Sequence, residues 1–253
     1  MSTFTSFDGT RIFYQQWGRR SSSRPPVVLH HGYVANARAN WLWTGIVGRL
    51  TANGHKVIAL DARGHGRSTK HHDPARYGEA TMAQDVSALL DHLSLDQVDL
   101  VGYSMGATVA LIAASEDPRI RRLAVGGIGA HTTRLGRGRK NGFGSRLAKA
   151  MLAPSVFSVR DPMLAGFRIM ADALWADRKA LAAQALAFHN KRIAFDRIDS
   201  PTLIIAGNDD PFAHQPEVLQ RAIEGARLQL MPGNHTNILT KPAFREALVA
   251  FLR

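Results

Sequence analysis

Three side chains in this sequence have the types and the order that nucleophilic acyl chemistry requires. Ser104 lies at the centre of the stretch GYSMG, and His235 ends the stretch PGNH. The adjacent Asp209 and Asp210 come between them in the chain. A serine hydroxyl is a weak nucleophile until a base takes its proton, and a histidine base needs a carboxylate to hold its tautomer. The sequence therefore predicts a serine nucleophile, a histidine base and an aspartate that orients the base.

The surroundings of Ser104 decide between a nucleophile and an ordinary turn serine, because G-x-S-x-G alone is a short pattern. An apolar run precedes it and an alanine-rich helical pattern follows. A serine on such a strand-to-helix turn has a strained backbone, and the small residues Gly102 and Gly106 let the strand and the helix approach. The turn also directs the Met105 backbone N–H toward the group under attack. These features favour the nucleophile.

The elements that would position these residues alternate along the chain. Asp8-Gly9 separates two strand patterns, which predicts an N-terminal hairpin. Short apolar runs typical of buried strands then alternate with segments of helical spacing. This alternation predicts an α/β fold with a mostly parallel central sheet and helices on both faces. The predicted strands are 27–30, 57–60, 98–102, 123–126, 203–206 and 228–230, and the predicted helices are 41–50, 82–93, 105–114, 217–223 and 243–252.

Residues 131–197 interrupt the alternation, because they contain helical patterns and no strand run. They carry 13 Lys or Arg against 4 Asp, a net +9 of the +12 for the whole chain. We expect either a solvated surface or a region that attracts anionic substrates or surfaces, and the latter role would depend on Arg134, Arg137, Arg139 and Lys140. A stripe of apolar residues at helical spacing is predicted either to lie over the edge of the sheet or to be ordinary core packing, and core packing is favoured for any single residue of it. It consists of Met163, Phe167, Met170 and Leu174.

Composition narrows the classes of function. The 253 residues include no cysteine, which excludes disulfides, thiolate metal sites and a cysteine nucleophile. The N-terminus has no secretory signal pattern and no segment has 18 consecutive apolar residues, so a cytoplasmic protein without a transmembrane segment is expected. The high positive net charge raises the question whether the protein binds nucleic acid, but the absence of a nucleic-acid-binding motif argues against such binding.

The chain resembles the α/β-hydrolase superfamily, specifically its small members with a helical cap inserted after the sixth strand. Four motifs carry the resemblance in the family's order: HGY at 31–33, DARGHGRS at 61–68, GYSMG at 102–106, and GNDDP at 207–211 with PGNH at 232–235. The resemblance implies a core of residues 1–130 and 198–253 and a cap of residues 131–197. One departure is Asn234, where the family often has Gly or Ala.

The same resemblance implies a catalytic triad of Ser104, Asp210 and His235. It gives the backbone N–H groups of Tyr33 and Met105 as the oxyanion hole, and it requires no metal or cofactor. The family spacing G-x-x-D-P favours Asp210, with Asp209 as the alternative.

Several other polar residues have structural interpretations. His30 is predicted to pack in the core. Asp61 and His65 are predicted to hold the turn after the strand at 57–60, which is the fourth strand when the two hairpin strands are counted. The run His71-His72-Asp73 contains metal-ligand types, but a solvated loop is the simpler interpretation because adjacent histidines point in different directions.

The expected reaction is hydrolysis of a carboxylic ester of a small molecule through an acyl-enzyme on Ser104. Thioesters, lactones and C–C bonds beside a ketone are alternative substrates. A serine nucleophile argues against the dehalogenases and epoxide hydrolases of this fold, which use aspartate. Two further alternatives are a small-ligand receptor with slow or no turnover and a cofactor-free perhydrolase. The sequence does not indicate an oligomeric state.

Overall fold

The computed structural model describes residues 2–19, 24–136, 142–188 and 191–253. Within these residues eight strands form one sheet in the order β1-β2-β4-β3-β5-β6-β7-β8. The hairpin strands β1 and β2 are antiparallel, β2 is antiparallel to β4, and the remaining neighbours are parallel. The strands are β1 Ser2–Thr5, β2 Arg11–Trp17, β3 Val27–His30, β4 Val57–Leu60, β5 Val98–Tyr103, β6 Ile120–Gly126, β7 Thr202–Gly207 and β8 Arg227–Met231.

Helices cover both faces of this sheet, which confirms the predicted α/β class. They are α1 Ile46–Ala52, α2 Glu79–His92, α3 Met105–Glu116, α4 Gly142–Leu152, α5 Pro162–Ala173, α6 Arg178–Leu186, α7 Pro216–Ala222 and α8 Pro242–Leu252. Val28 of β3 belongs to the core beneath α2 and α3, whereas its neighbours Val27 and Leu29 belong to the core beneath α1 and α8. Burial on both faces explains why these strands are continuous apolar runs rather than alternating ones.

The prediction of a single helix over residues 41–50 is wrong. A π-helical turn at Arg38–Leu42 precedes α1, and Gly45 between them has φ of +78°. Glycine adopts this left-handed conformation without steric cost, so the chain changes direction there. The apolar spacing persists across the break because both pieces pack on the same core.

The segment between β6 and β7 contains α4, α5 and α6. Its contacts with the rest of the molecule include two at α6: the Tyr33 hydroxyl donates to the Leu181 carbonyl oxygen at 2.9 Å, and His72 lies 3.0 Å from Asp177, the N-cap residue of α6. Arg134 ends a short 3-10 helix, Ala130–Arg134, whereas Arg137, Arg139 and Lys140 lie outside the described residues. In the described parts of the chain, no helix has the length and apolar character needed to cross a membrane.

A buried ionic cluster fixes the turn after β4. The Arg63 side chain is fully buried and donates to Asp85 of α2 at 2.6 Å and to Asp8 of the N-terminal hairpin at 2.9 Å. Since the guanidinium has five donors in a rigid fork, one arginine can hold both elements. The turn at residues 61–68 is thereby tied to two elements that are distant in sequence.

Candidate active site

Ser104 occupies a strained turn between β5 and α3, with φ of +55° and ψ of −118°. Glycines on either side make the turn sterically feasible. A Cβ atom on Gly102 would lie 2.2 Å from the Gly106 carbonyl oxygen, and one on Gly106 would lie 2.1 Å from the His30 carbonyl oxygen. Since any larger side chain would force the backbone apart, these positions require glycine, and the serine hydroxyl is presented at the carboxyl end of β5.

The loops after β7 and β8 bring Asp210 and His235 to this serine. His235 Nε2 is 3.0 Å from Ser104 Oγ, and His235 Nδ1 is 2.9 Å and 3.0 Å from the two carboxylate oxygens of Asp210. The Asp210 side chain is fully buried, whereas Asp209 is exposed. An imidazole that donates from Nδ1 to a carboxylate presents Nε2 as an acceptor to the serine hydroxyl.

Neighbouring residues hold the histidine loop in place. The Tyr103 hydroxyl donates to the His235 carbonyl oxygen at 2.6 Å. The Asn234 side-chain oxygen accepts from the N–H groups of Thr236 and Asn237, each at 3.1 Å. Asn234 therefore closes the turn that carries His235. The sequence pattern gave no indication of the Tyr103 contact, because a tyrosine at the end of a buried strand resembles a core residue.

The loop after β3 lies directly against Ser104. Its Gly32 N–H donates to Asn40 at 2.7 Å and its Val34 N–H donates to His65 at 3.2 Å. Among the described residues, the Tyr33 N–H between them has no acceptor, and neither has the Met105 N–H at the start of α3. Two backbone donors beside a serine hydroxyl, at the positive end of a helix, are suited to stabilising an oxyanion.

Buried histidines beneath this loop are neutral structural groups. His31 Nε2 accepts from the Ala62 N–H at 2.9 Å, and His65 Nδ1 donates to the Arg63 carbonyl oxygen at 3.0 Å. Burial lowers the pKa of His31 and of His65, and it lowers the pKa of His30 to about 3. These rings connect the loop after β3 to the turn after β4. Asp61 adds to that connection by accepting from the Ala37 and Arg67 N–H groups, each at 2.9 Å.

We expect these histidines to make the fold sensitive to acid. Below the unfolded-state pKa of about 6.5 the unfolded chain takes up protons that the buried rings cannot, so stability falls as the pH falls toward their native pKa. His30 alone, with a native pKa of about 3, should decrease the free energy of unfolding by about 2 kcal/mol between pH 7 and pH 5, and His31 and His65 should act in the same direction. Urea denaturation at the two pH values measures the change. His30→Leu should show a smaller decrease than the wild type, and identical decreases would contradict the assignment.

Within the described ranges, Ser104 borders two spaces. One is an open cleft of about 670 Å³ whose apolar wall includes Met163, Phe167 and Met170 of α5, and which also reaches His235. The other is a cavity of about 60 Å³ on the Met105 side. Three of the four residues in the predicted apolar stripe therefore face the cleft.

The remaining histidine motif makes local contacts. His71 Nε2 is 3.0 Å from Thr10 Oγ1, and His72 pairs with Asp177. In the described ranges, no three His, Asp or Glu side chains are grouped as metal ligands would be.

Residues 25–153 match the alpha/beta hydrolase fold family. A non-heme haloperoxidase from Rhodococcus erythropolis is 29% identical over 267 residues, covering 92% of each chain. A non-heme chloroperoxidase from Streptomyces lividans is 39% identical over 119 residues, which span 47% of this chain and only 41% of that enzyme. Among solved structures, the enol-lactonase from Burkholderia xenovorans LB400 superposes with a TM-score of 0.79 at 26% identity, covering 99% of each chain.

Proposed function

We propose, because this chain belongs to the alpha/beta hydrolase family, that it is a serine hydrolase that cleaves a carboxylic ester of a small molecule. The observation that carries the proposal is the continuous hydrogen-bonded path from Ser104 Oγ through His235 to Asp210. The path supplies a nucleophile, a base and an anion that stabilises the charged base. The fold alone does not imply this chemistry, but the side-chain arrangement does.

The reaction follows from the positions of these groups. Ser104 Oγ attacks the ester carbonyl carbon while His235 Nε2 takes the hydroxyl proton, and Asp210 stabilises the resulting imidazolium. The carbonyl oxygen becomes an oxyanion that accepts from the Tyr33 and Met105 N–H groups, each worth about 3 to 4 kcal/mol to the transition state. The alcohol leaves with the proton from His235. Water then attacks the acyl-enzyme by the same steps and releases the acid.

The relatives support ester chemistry and suggest a variant of it. The enol-lactonase structure belongs to an enzyme named for a cyclic ester, which this site would open by the same attack. The two bacterial relatives are named as non-heme peroxidases. That name favours a second candidate function, in which hydrogen peroxide replaces water as the group that attacks the acyl-enzyme, and the acyl group is released from Ser104 as a peracid.

Single-turnover kinetics with 4-nitrophenyl esters tests the proposal. We expect release of 4-nitrophenol and a transient mass increase equal to the acyl group on the peptide containing Ser104. A receptor would instead bind the ester and gain thermal stability without turnover. Hydrolysis without a serine-linked acyl group would contradict the mechanism.

The second candidate needs one added measurement. With hydrogen peroxide present, the same acyl-enzyme should partition between the acid and the peracid, and halide oxidation detects the peracid. A product distribution unaffected by peroxide would restrict the chain to hydrolysis.

A further inference from the structure

The cleft and the cavity beside Ser104 differ in one respect that bears on substrate orientation. The cleft includes His235 in its wall, whereas the cavity is lined by Ser104, Met105 and Tyr33 and not by the histidine. Aromatic rings separate the two spaces: Phe167 lies 5.9 Å from Tyr33 and 6.0 Å from Phe212, measured between ring centroids. A substrate bonded to Ser104 can therefore extend different parts into each space.

The proposed reaction determines which part of the substrate lies in which space. In the tetrahedral intermediate the carbonyl carbon carries the serine oxygen, the oxyanion, the leaving oxygen and the acyl chain. The leaving oxygen receives its proton from His235 Nε2, so the alcohol lies on the histidine side, in the cleft. The oxyanion lies at the Tyr33 and Met105 N–H groups. The acyl chain is left to enter the cavity.

The volume of the cavity limits the length of that chain. A protein cavity of about 150 Å³ holds benzene, which corresponds to roughly 25 Å³ per non-hydrogen atom. A cavity of about 60 Å³ therefore holds two or three such atoms beyond the carbonyl carbon. The cleft, at about 670 Å³, places no comparable limit on the alcohol.

An acidic residue in the cavity wall adds a chemical preference. Glu79 is the first residue of α2, is only 2% exposed, and lines the cavity together with aromatic and aliphatic residues such as Phe143 and Leu147. The first turn of a helix stabilises a negative charge. The oxygens of a carboxyl group accept hydrogen bonds, so this group complements a ligand that donates them. Besides Ser104 and Tyr33, the wall also includes the polar residues Thr108 and His131.

We propose that this cavity binds the acyl chain of the substrate, that it admits chains of two or three non-hydrogen atoms, and that Glu79 makes it prefer a chain ending in a hydrogen-bond donor such as a hydroxyl or an ammonium group. The inference rests on the proposed ester hydrolysis. It assigns the substrate class as an ester of a short, hydroxylated or aminated acid with a larger apolar alcohol.

Matched esters test the preference. The 4-nitrophenyl esters of 3-hydroxypropanoate and butanoate have acyl chains of the same length, so they differ only in the terminal group. The wild type should hydrolyse the hydroxylated ester with a kcat/KM up to about tenfold higher, as expected for one additional hydrogen bond. The octanoate ester should be slower than the butanoate ester by a similar factor.

Substitutions at Glu79 identify the origin of the preference. Glu79→Leu should reverse the ratio in favour of butanoate, and Glu79→Gln, which keeps the shape, should reduce it. Met163→Ala, in the cleft, is the matched control and should leave the ratio between the two acyl chains unchanged.

The outcomes separate this inference from the proposed function. Equal kcat/KM values for the two short esters, or rapid octanoate hydrolysis, in the wild type would overturn the acyl-pocket assignment while leaving ester hydrolysis intact. The acyl-pocket assignment would also be overturned if folded Glu79 variants kept the wild-type ratio of kcat/KM between the two short esters. Failure to hydrolyse any ester would instead overturn the proposed function. Because the wild-type comparison is decisive alone, a variant that fails to fold does not weaken the test.

Discussion

Replacement of Ser104 by alanine is expected to lower kcat/KM for a short acyl ester by at least about 10⁴-fold, because it removes the hydroxyl that lies 3.0 Å from His235 Nε2. His235→Ala should cause a loss of the same order, since the serine would then lack its base. The double variant should be no less active than either single one, because residues that act as a unit show non-additive losses. Steady-state kinetics with 4-nitrophenyl butanoate measures all three.

A substitution on the surface and a measurement of folding serve as controls for this experiment. Ser158→Ala, in the exposed 3-10 helix Val156–Ser158, removes a serine hydroxyl far along the chain from the turn at Ser104 and should keep wild-type activity. The Ser104 and His235 variants should keep the wild-type circular dichroism spectrum. Retention of more than a few per cent of activity in either folded variant would rule out the assigned roles.

Asp210→Asn is expected to lower kcat by about 10³- to 10⁴-fold. The amide is nearly the same size as the carboxylate, but it can donate to His235 Nδ1 and so favour the tautomer that cannot accept the serine proton. It also removes the negative charge that stabilises the imidazolium. Since His235 Nδ1 contacts both oxygens of Asp210 at 2.9 Å and 3.0 Å, the present carboxylate serves both purposes.

The adjacent Asp209 provides the matched control. It has the same side chain one residue away and is exposed, whereas Asp210 is buried against the histidine. Asp209→Asn should change kcat by no more than a few-fold. If Asp209→Asn were the more damaging of the two, the role of the acid would pass to Asp209.

The strands were predictable from the sequence because a parallel sheet buried on both faces selects continuous apolar runs. Residues 27–30 and 57–60 match β3 and β4 at both ends. The break within the helix predicted at 41–50 was not predictable, because apolar spacing alone does not reveal that the chain changes direction at Gly45. The contact of Arg63 with Asp8 was also not predictable, since the two residues are 55 positions apart and nothing in the local pattern relates them.

The positions of the proposed catalytic residues were predictable because strand-end motifs fix where a side chain emerges. The contacts that hold these residues in place were not predictable from the sequence. Asn40, which holds Gly32, and Tyr103, which holds the His235 loop, have neighbours typical of ordinary helix and strand residues. Glu79 was not predicted either, because an acidic residue at the start of a helix is usually explained by the helix dipole. Their roles depend on which elements meet in three dimensions.

The Tyr33 hydroxyl, bonded to the Leu181 carbonyl of α6, has a consequence for how the enzyme could diversify. The backbone N–H of the same residue belongs to the proposed oxyanion hole, so one tyrosine joins the loop after β3 to the segment that forms one wall of the cleft. A segment taken from a relative would have to place a backbone carbonyl at the same point, or it would leave a buried hydroxyl without a partner beside the proposed nucleophile. Changes in substrate range are therefore more accessible through single substitutions on α5 than through grafting the segment as a module.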